Sequence, residues 1–532
     1  MKACYTCYRQ LREEMSRWLS QSVRMDGPGP NQGGEDEANY ALAWFPHHLV
    51  TADERVAAHF RSLLNCLSGW VKRDCLHGYE PEAEAHHGTE PFLLFLPRYL
   101  GLFPEDRVAR DLLEDAAHHI GNWVEGIPKW YDYERDCFYS YHIGARTVGQ
   151  DPRFAYEVAE HFRFIHIALT AHRVLGDGRY LEWSLRYGRR RAQRILNAGD
   201  GPMPVLWDLA GNGLRESDLT TQEQRSLAAS GHHVPGDPLA GVENLLASGA
   251  IYALGDLFLL SGDDLFRQAA RRIVAPLVHE LLDPCADPAA AAVSYYRRTF
   301  DDDTLDEPIQ AVLRGMPPES EEDLALVFPQ EHRRREPGVG RRSDMIYWGV
   351  WSEDREEGCD PMGATGWGAV RPLREPSTAA LTLAFQMTGD VAFARRALRQ
   401  AAIKLRMARR VLRGGREHTD MGGAVCSVAA GHGRNYGCGA VTGCYGPLLL
   451  GAREVRGQVV PLIEVRDAAG RVRLPEEVLS LVFPSAGKKS GEVLFFNGGE
   501  ATATFSWRRH GDPEAGWAEV SLAPAESRRF GI

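Results

Sequence analysis

The chain has 532 residues, enough for one large domain and a smaller companion. Its 44% hydrophobic and 25% charged residues are the make-up of a folded globular protein. A formal net charge of −11 argues against a polyanion-binding surface and hence against a nucleic-acid partner, ten scattered cysteines make no disulfide framework, and no apolar run is long and uncharged enough to span a membrane.

The N-terminus, "MKACYTCYRQLREEMSRW", lacks the apolar core of a signal peptide. The expectation is a cytoplasmic protein with reduced thiols, unless the start codon is mis-called. Cys4 and Cys7 form C-x-x-C without a second pair nearby.

From about residue 50 to about residue 455 the strong segments read as helices. Residues 91–103, 162–176, 241–262, 377–389 and 445–455 are apolar nearly all round, which places them inside other helices. Arg- and Glu-rich amphipathic segments, 179–196 and 391–412, alternate with them as an outer layer, and Arg189 to Arg191 reads there as a solvated face. "VLGDGRYLEWS" (174–184), "LLSGDDLFRQA" (259–269) and "QMTGDVAFARR" (386–396) repeat one design, with 100–111 as a looser fourth copy. A buried helix ends on Gly, Asp caps the next helix, and an aromatic residue opens it. Inner helix, short turn, outer helix and long loop is the pattern of an α/α toroid, here expected to have five or six helical hairpins.

Residues 301–343, acidic then basic, read as a surface insertion. After 455 the period changes to alternating β-branched and aromatic residues, with "NGGE" (497–500) as a hairpin signal. The expected organisation is a mainly α toroid over 1–455 and a small C-terminal β-sandwich over 456–532.

The segments before inner helices are long and rich in Gly, His, Tyr, Trp and Arg: 77–90, 131–152, 230–240, 360–376 and 418–444. Inner helices of a toroid run parallel, so these segments should gather at one end, over the mouth of the central cavity. The N-termini there add partial positive charge, suited to an anionic group.

The layout resembles the six-hairpin glycoside hydrolases and the toroid polysaccharide lyases. The resemblance is one of architecture and carries no family motif, so no residue role comes with it. Terpene cyclases share the toroid, but their Asp-rich motifs belong on inner helices, whereas "DDDTL" (301–305) reads as loop. The resemblance implies an oligo- or polysaccharide substrate, and the positive helix ends at the mouth point to an anionic one.

Two chemistries compete for such a substrate. β-Elimination from a uronate needs a carboxylate clamp, a base and an acid. Arg434 or Arg146 would be the clamp, Tyr436 or His142 the base, and His233 or Tyr141 the acid. Hydrolysis needs two carboxyl groups flanking the bond, for which Glu90, Glu243 and Asp420 are available. His87, Trp367, Arg371, Asn435 and His432 are the remaining candidates for binding sugar. The balance of residue types leans to elimination; a glycan-binding protein without turnover is the third reading. Cys426, His432, Cys438 and Cys444 recur every six residues, which is not a zinc-finger spacing, so no metal and no cofactor are expected.

Overall fold

The computed structural model describes residues 1–23, 35–79, 81, 87–229, 238–283, 287–319, 324–327, 349–352, 376–411, 428–430, 439–484, 491–512 and 516–532. The architecture is a ring of helices in two layers, a mainly α toroid, followed by antiparallel strands. The inner layer runs through α2 (Glu35–Thr51), α4 (Leu96–Leu102, entered by a π turn Pro91–Phe95), α6 (Phe162–Leu175), α10 (Ala250–Ser261), α12 (Asp287–Thr299), α14 (Thr378–Thr388) and α16 (Tyr445–Leu449). The outer layer is α1 (Lys2–Ser22), α3 (Glu54–Asp74), α5 (Arg107–Ile120), α7 (Gly178–Leu196), α11 (Asp264–Val274), α13 (Asp306–Leu313) and α15 (Val391–Val411). Between α7 and α10 lie α8 (Gln222–Ala229) and α9 (Ala240–Ala247).

The layers differ as their sequences require. In α6 every residue from Phe162 to Ala171 is buried, whereas α7 buries only the stripe through Tyr180, Trp183, Tyr187 and Arg191. The predicted turns are present: Gly176, Gly262 and Gly389 end inner helices in the left-handed conformation, where a side chain would strain the backbone. Asp177, Asp263 and Asp390 cap the helices that follow, and so do Asp106 and Asp53. Asp53 adds a copy of the repeat beyond those read from the sequence. Each such cap contributes about 0.5–2 kcal/mol.

Six consecutive hairpins, from α2–α3 to α14–α15, meet the expected number among the described residues, and the two ends of the helical region join them: α1 packs on α15, and α16 packs on α2. One feature corrects the sequence reading. The segment expected as a surface insertion opens with structure. Residues 301–305 are the turn after inner helix α12, and α13 buries Ile309 and Leu313. Of the remainder, strands β6 (Leu324–Val327) and β7 (Gly349–Ser352) pair antiparallel.

Beyond the ring, β10 (Ile463–Asp467), β13 (Ala503–Arg509) and β14 (Ala518–Leu522) form one antiparallel sheet. A second consists of β11 (Val478–Pro484), β12 (Gly491–Asn497) and β15 (Ser527–Gly531). Phe495 contacts Phe505 and Trp507 across the two sheets. β11 packs on α16, α14 and α1, with Phe483 against Phe385.

One hairpin leaves this pattern. β8 (Arg453–Val455) and β9 (Gln458–Val460) turn through Arg456 and Gly457, at φ 47° and 75°, and reach into the C-terminal end of the inner ring. Gly457 has no room for a side chain there, since a Cβ would lie 2.7 Å from Pro97. Arg98 of α4 bonds Glu454 and donates to Gly457 O (3.1 Å), and Gln458 donates to Pro97 O (3.0 Å). Asp256 of α10 accepts the Arg456 N–H at 2.8 and 3.0 Å. This hairpin closes one end of the ring.

Asp256 carries a pH signature. Burial, opposed by the Arg456 N–H and by the charges of Arg456 and Arg173 and reinforced by Glu454, pushes its pKa up to about 7. A carboxyl with a folded pKa above its unfolded value stabilises at low pH, and that stability is lost as pH rises through the folded pKa. The melting temperature of the wild type should therefore fall more steeply between pH 5 and pH 8 than that of Asp256→Asn, whose amide oxygen still accepts the Arg456 N–H. Parallel melting profiles for the two proteins would refute this.

Candidate active site

The open end of the ring is set by the inner-helix N-termini. The hairpin β1 (Tyr131–Asp132) and β2 (Cys137–Phe138) is held by Asn122, whose Oδ1 accepts from Trp130 N (2.9 Å) and Tyr131 N (3.0 Å). Arg146 N donates to Pro81 O (2.8 Å), so the 131–152 loop meets the 77–90 loop as the parallel-helix argument requires. β3 (Tyr156–Glu157) pairs with β4 (Leu206–Asp208), and Asn244 of α9 donates to Ala228 O (3.2 Å). Segment 200–229, absent from the expected set, thus joins the same end. The other expected mouth segments fall largely outside the described residues.

Glu157 anchors this assembly. It is fully buried and accepts from Phe138 N (3.1 Å) and Tyr187 OH (3.0 Å). It also pairs with Arg194 and, at 3.5 Å, with Arg191. Arg191, expected on a solvated face, is 1% exposed and lies over the Phe162 and Trp207 rings at 4.8 Å. A guanidinium enters the interior because a carboxylate meets it there. Beside them burial holds His161 neutral, its pKa well below the ordinary value.

Glu90 and Glu243 begin neighbouring parts of the inner layer. Glu90 precedes the π turn and forms a buried ion pair with Arg163, in the first turn of α6. Glu243 is 5% exposed in the first turn of α9, which packs against Ala159–His161. The expected single helix 241–262 is broken: α9 and α10 meet at 62°, with Gly249 at φ 74°. His166 donates from Nε2 to Gly249 O at 3.0 Å and holds the break against α6.

A partly open pocket lies between α2, α10, α12, α14, α16 and the β8–β9 hairpin, lined by Tyr252, Ser294, Tyr295, Arg298, Thr382 and Thr442 among others. Its base at the β8–β9 hairpin is cationic. Arg298 donates to Ala452 O (3.0 Å) and Gly451 O, and Arg453 donates to Arg298 O (3.2 Å). Burial, with the charges of Arg453 and Arg297 beside it, lowers the Arg298 pKa to about 9. The nearby carboxylate Glu454 is paired with Arg98.

No family model and no curated protein matches the sequence. A structural likeness is found to the crystal structure of an unsaturated glucuronyl hydrolase specific for heparin, at 11% identity and a TM-score of 0.41, over 60% of this chain and 85% of that one. At that level it transfers no residue and no role.

The sequence-predicted site residues divide as follows. Tyr141 is buried beside Val158, Val205 and Leu206. His142 is half-buried, its ring 5.5 Å from Phe154 and its N–H on Ser140 Oγ. Arg146 is exposed. Tyr445, which opens the last inner helix, is fully buried against His47 (3.3 Å), with burial raising its pKa. His233, Trp367, Arg371, His432, Arg434, Asn435 and Tyr436, the His87 side chain, Asp420, Cys426 and Cys438 lie outside the described residues. Cys444 is buried, its thiol pKa raised by desolvation, which disfavours the thiolate a metal needs.

Arg163 and Arg298 were missed. "FRFIHIAL" and "SYYRRTF" each place cations in a mostly apolar inner helix. A buried cation needs a partner or a ligand, and that rule, applied to these helices, would have found both.

Proposed function

We propose that the protein is a carbohydrate-active enzyme that cleaves glycosidic bonds at the open end of the ring. The observation that carries this reading is a two-layered ring with a pocket walled by Arg298 and Arg453 and, at the N-terminal end of its helices, the buried carboxylates Glu90 and Glu243. Arg298 and Arg453 suit an anionic sugar such as a uronate. Two carboxylates support hydrolysis, with Glu243 as the acid–base group and Glu90 positioned by Arg163.

β-Elimination is the second reading. It is favoured by His142 and Arg146 on the loop that meets Pro81, as base and carboxylate clamp. Purified protein incubated with uronate-bearing and neutral oligosaccharides should release new reducing ends. Release without near-ultraviolet absorbance is the expected, hydrolytic outcome, because only elimination leaves an unsaturated sugar. Absorbance rising with cleavage would establish the lyase reading, and sugar binding without cleavage of any substrate would make the protein a glycan receptor.

A further inference from the structure

A second cluster of chemistry-bearing side chains lies on the outer wall of the ring, apart from the cavity. Leu76 and Tyr79 close a tight turn with reciprocal backbone hydrogen bonds (2.8 and 3.2 Å), and His77 occupies the left-handed region at φ 55°. That turn sets the His77 ring 4.5 Å from the His119 ring. Asp115 and His119 stand one turn apart on α5, on one helix face. One ligand atom from each of His77, Asp115 and His119 lies within 4.8 Å of the other two. His77, counted by sequence among the mouth histidines, belongs to this wall.

His119 is the informative member. It is 1% exposed. Its Nδ1 lies 2.7 Å from Asp115 O and donates to it, which leaves the lone pair on Nε2. That nitrogen is buried and makes no hydrogen bond. Desolvation lowers the His119 pKa to about 4, so the ring is neutral at neutral pH. A buried acceptor without a donor costs free energy, and a cation removes that cost. The imidazole pinned through Nδ1 to a carbonyl is also the arrangement that orients a metal-binding histidine. Asp115 Oδ1 lies 3.2 Å from His77 Nδ1, and both residues are partly exposed, so water can complete the coordination.

The geometry points to a site for one divalent transition-metal ion held by His77, Asp115 and His119. Two imidazoles and one carboxylate suit zinc rather than calcium or magnesium, which take oxygen ligands. The ion would fasten the 77–90 loop to α5; it takes no part in the proposed bond cleavage and does not depend on that reading.

The full chain, stripped with chelator and dialysed against zinc alone, is expected to retain one zinc per chain, and cobalt in its place should give visible d–d bands without thiolate charge transfer. His77→Asn keeps a residue tolerant of the left-handed backbone, and Asp115→Asn keeps the shape of the side chain. Each should weaken zinc binding by about tenfold or more and remove the zinc-induced rise in melting temperature. Their metal-free melting temperatures should match the wild type, which shows that the fold survives. No stoichiometric zinc, zinc affinity unchanged in both variants, or a thiolate band with cobalt would each overturn the site.

Discussion

Glu243→Gln is expected to lower the turnover of glycan cleavage about 10²–10⁴-fold while leaving sugar binding and the melting temperature nearly unchanged. Glu243 is a carboxylate, 5% exposed, in a helix that also buries Val242, Leu245 and Leu246. It stands in the first turn, where the helix dipole favours a negative charge. The helix is also bent 62° away from its continuation and packs against Ala159–His161. Gln preserves shape and hydrogen bonding and removes the titrating group. Glu90→Gln is the informative comparison. Glu90 holds Arg163, so its loss should reduce the melting temperature as well as activity. Turnover unchanged in Glu243→Gln would take this residue out of the chemistry, and steady-state kinetics with direct binding measurements decide it.

Glu157→Gln should produce the largest loss of stability, about 3–5 kcal/mol, because it leaves two guanidinium groups buried without their counter-ion. Arg191 and Arg194 are 1% and 4% exposed, and both face this one carboxylate. The amide oxygen can still accept from Phe138 N and Tyr187 OH, so the change isolates charge from hydrogen bonding. Denaturant titration of the purified protein measures it. Adding Arg194→Met should return part of the loss, since it withdraws one uncompensated charge. A loss below about 1 kcal/mol would place this cluster with ordinary surface pairs.

The part legible in the sequence was the part governed by local physics. Apolar helices alternating with Arg- and Glu-rich ones forced two layers, and Gly-Asp at 176–177, 262–263 and 389–390 specified where one layer hands over to the other. Strand periodicity after residue 455 marked the change from helices to strands. Each of these signals is contained within a few consecutive residues, because caps, turns and helical faces are made by neighbours in the chain.

Tertiary structure alone decided the rest. α1 is amphipathic, yet nothing near it in sequence shows that its partner is α15 or that α16 supplies the inner helix beside α2. The β8–β9 hairpin reads as ordinary strand, and only its insertion beneath the inner helices turns Arg456 and Glu454 into groups of the ring axis. Arg191 looks solvated until Glu157 is placed beside it, and Glu90 finds Arg163 across 73 residues. His77 meets His119 because a left-handed turn folds the chain back onto α5. Burial of a charge and the gathering of ligand atoms depend on which distant segments the closed ring brings together, and residue pattern carries no record of those distances.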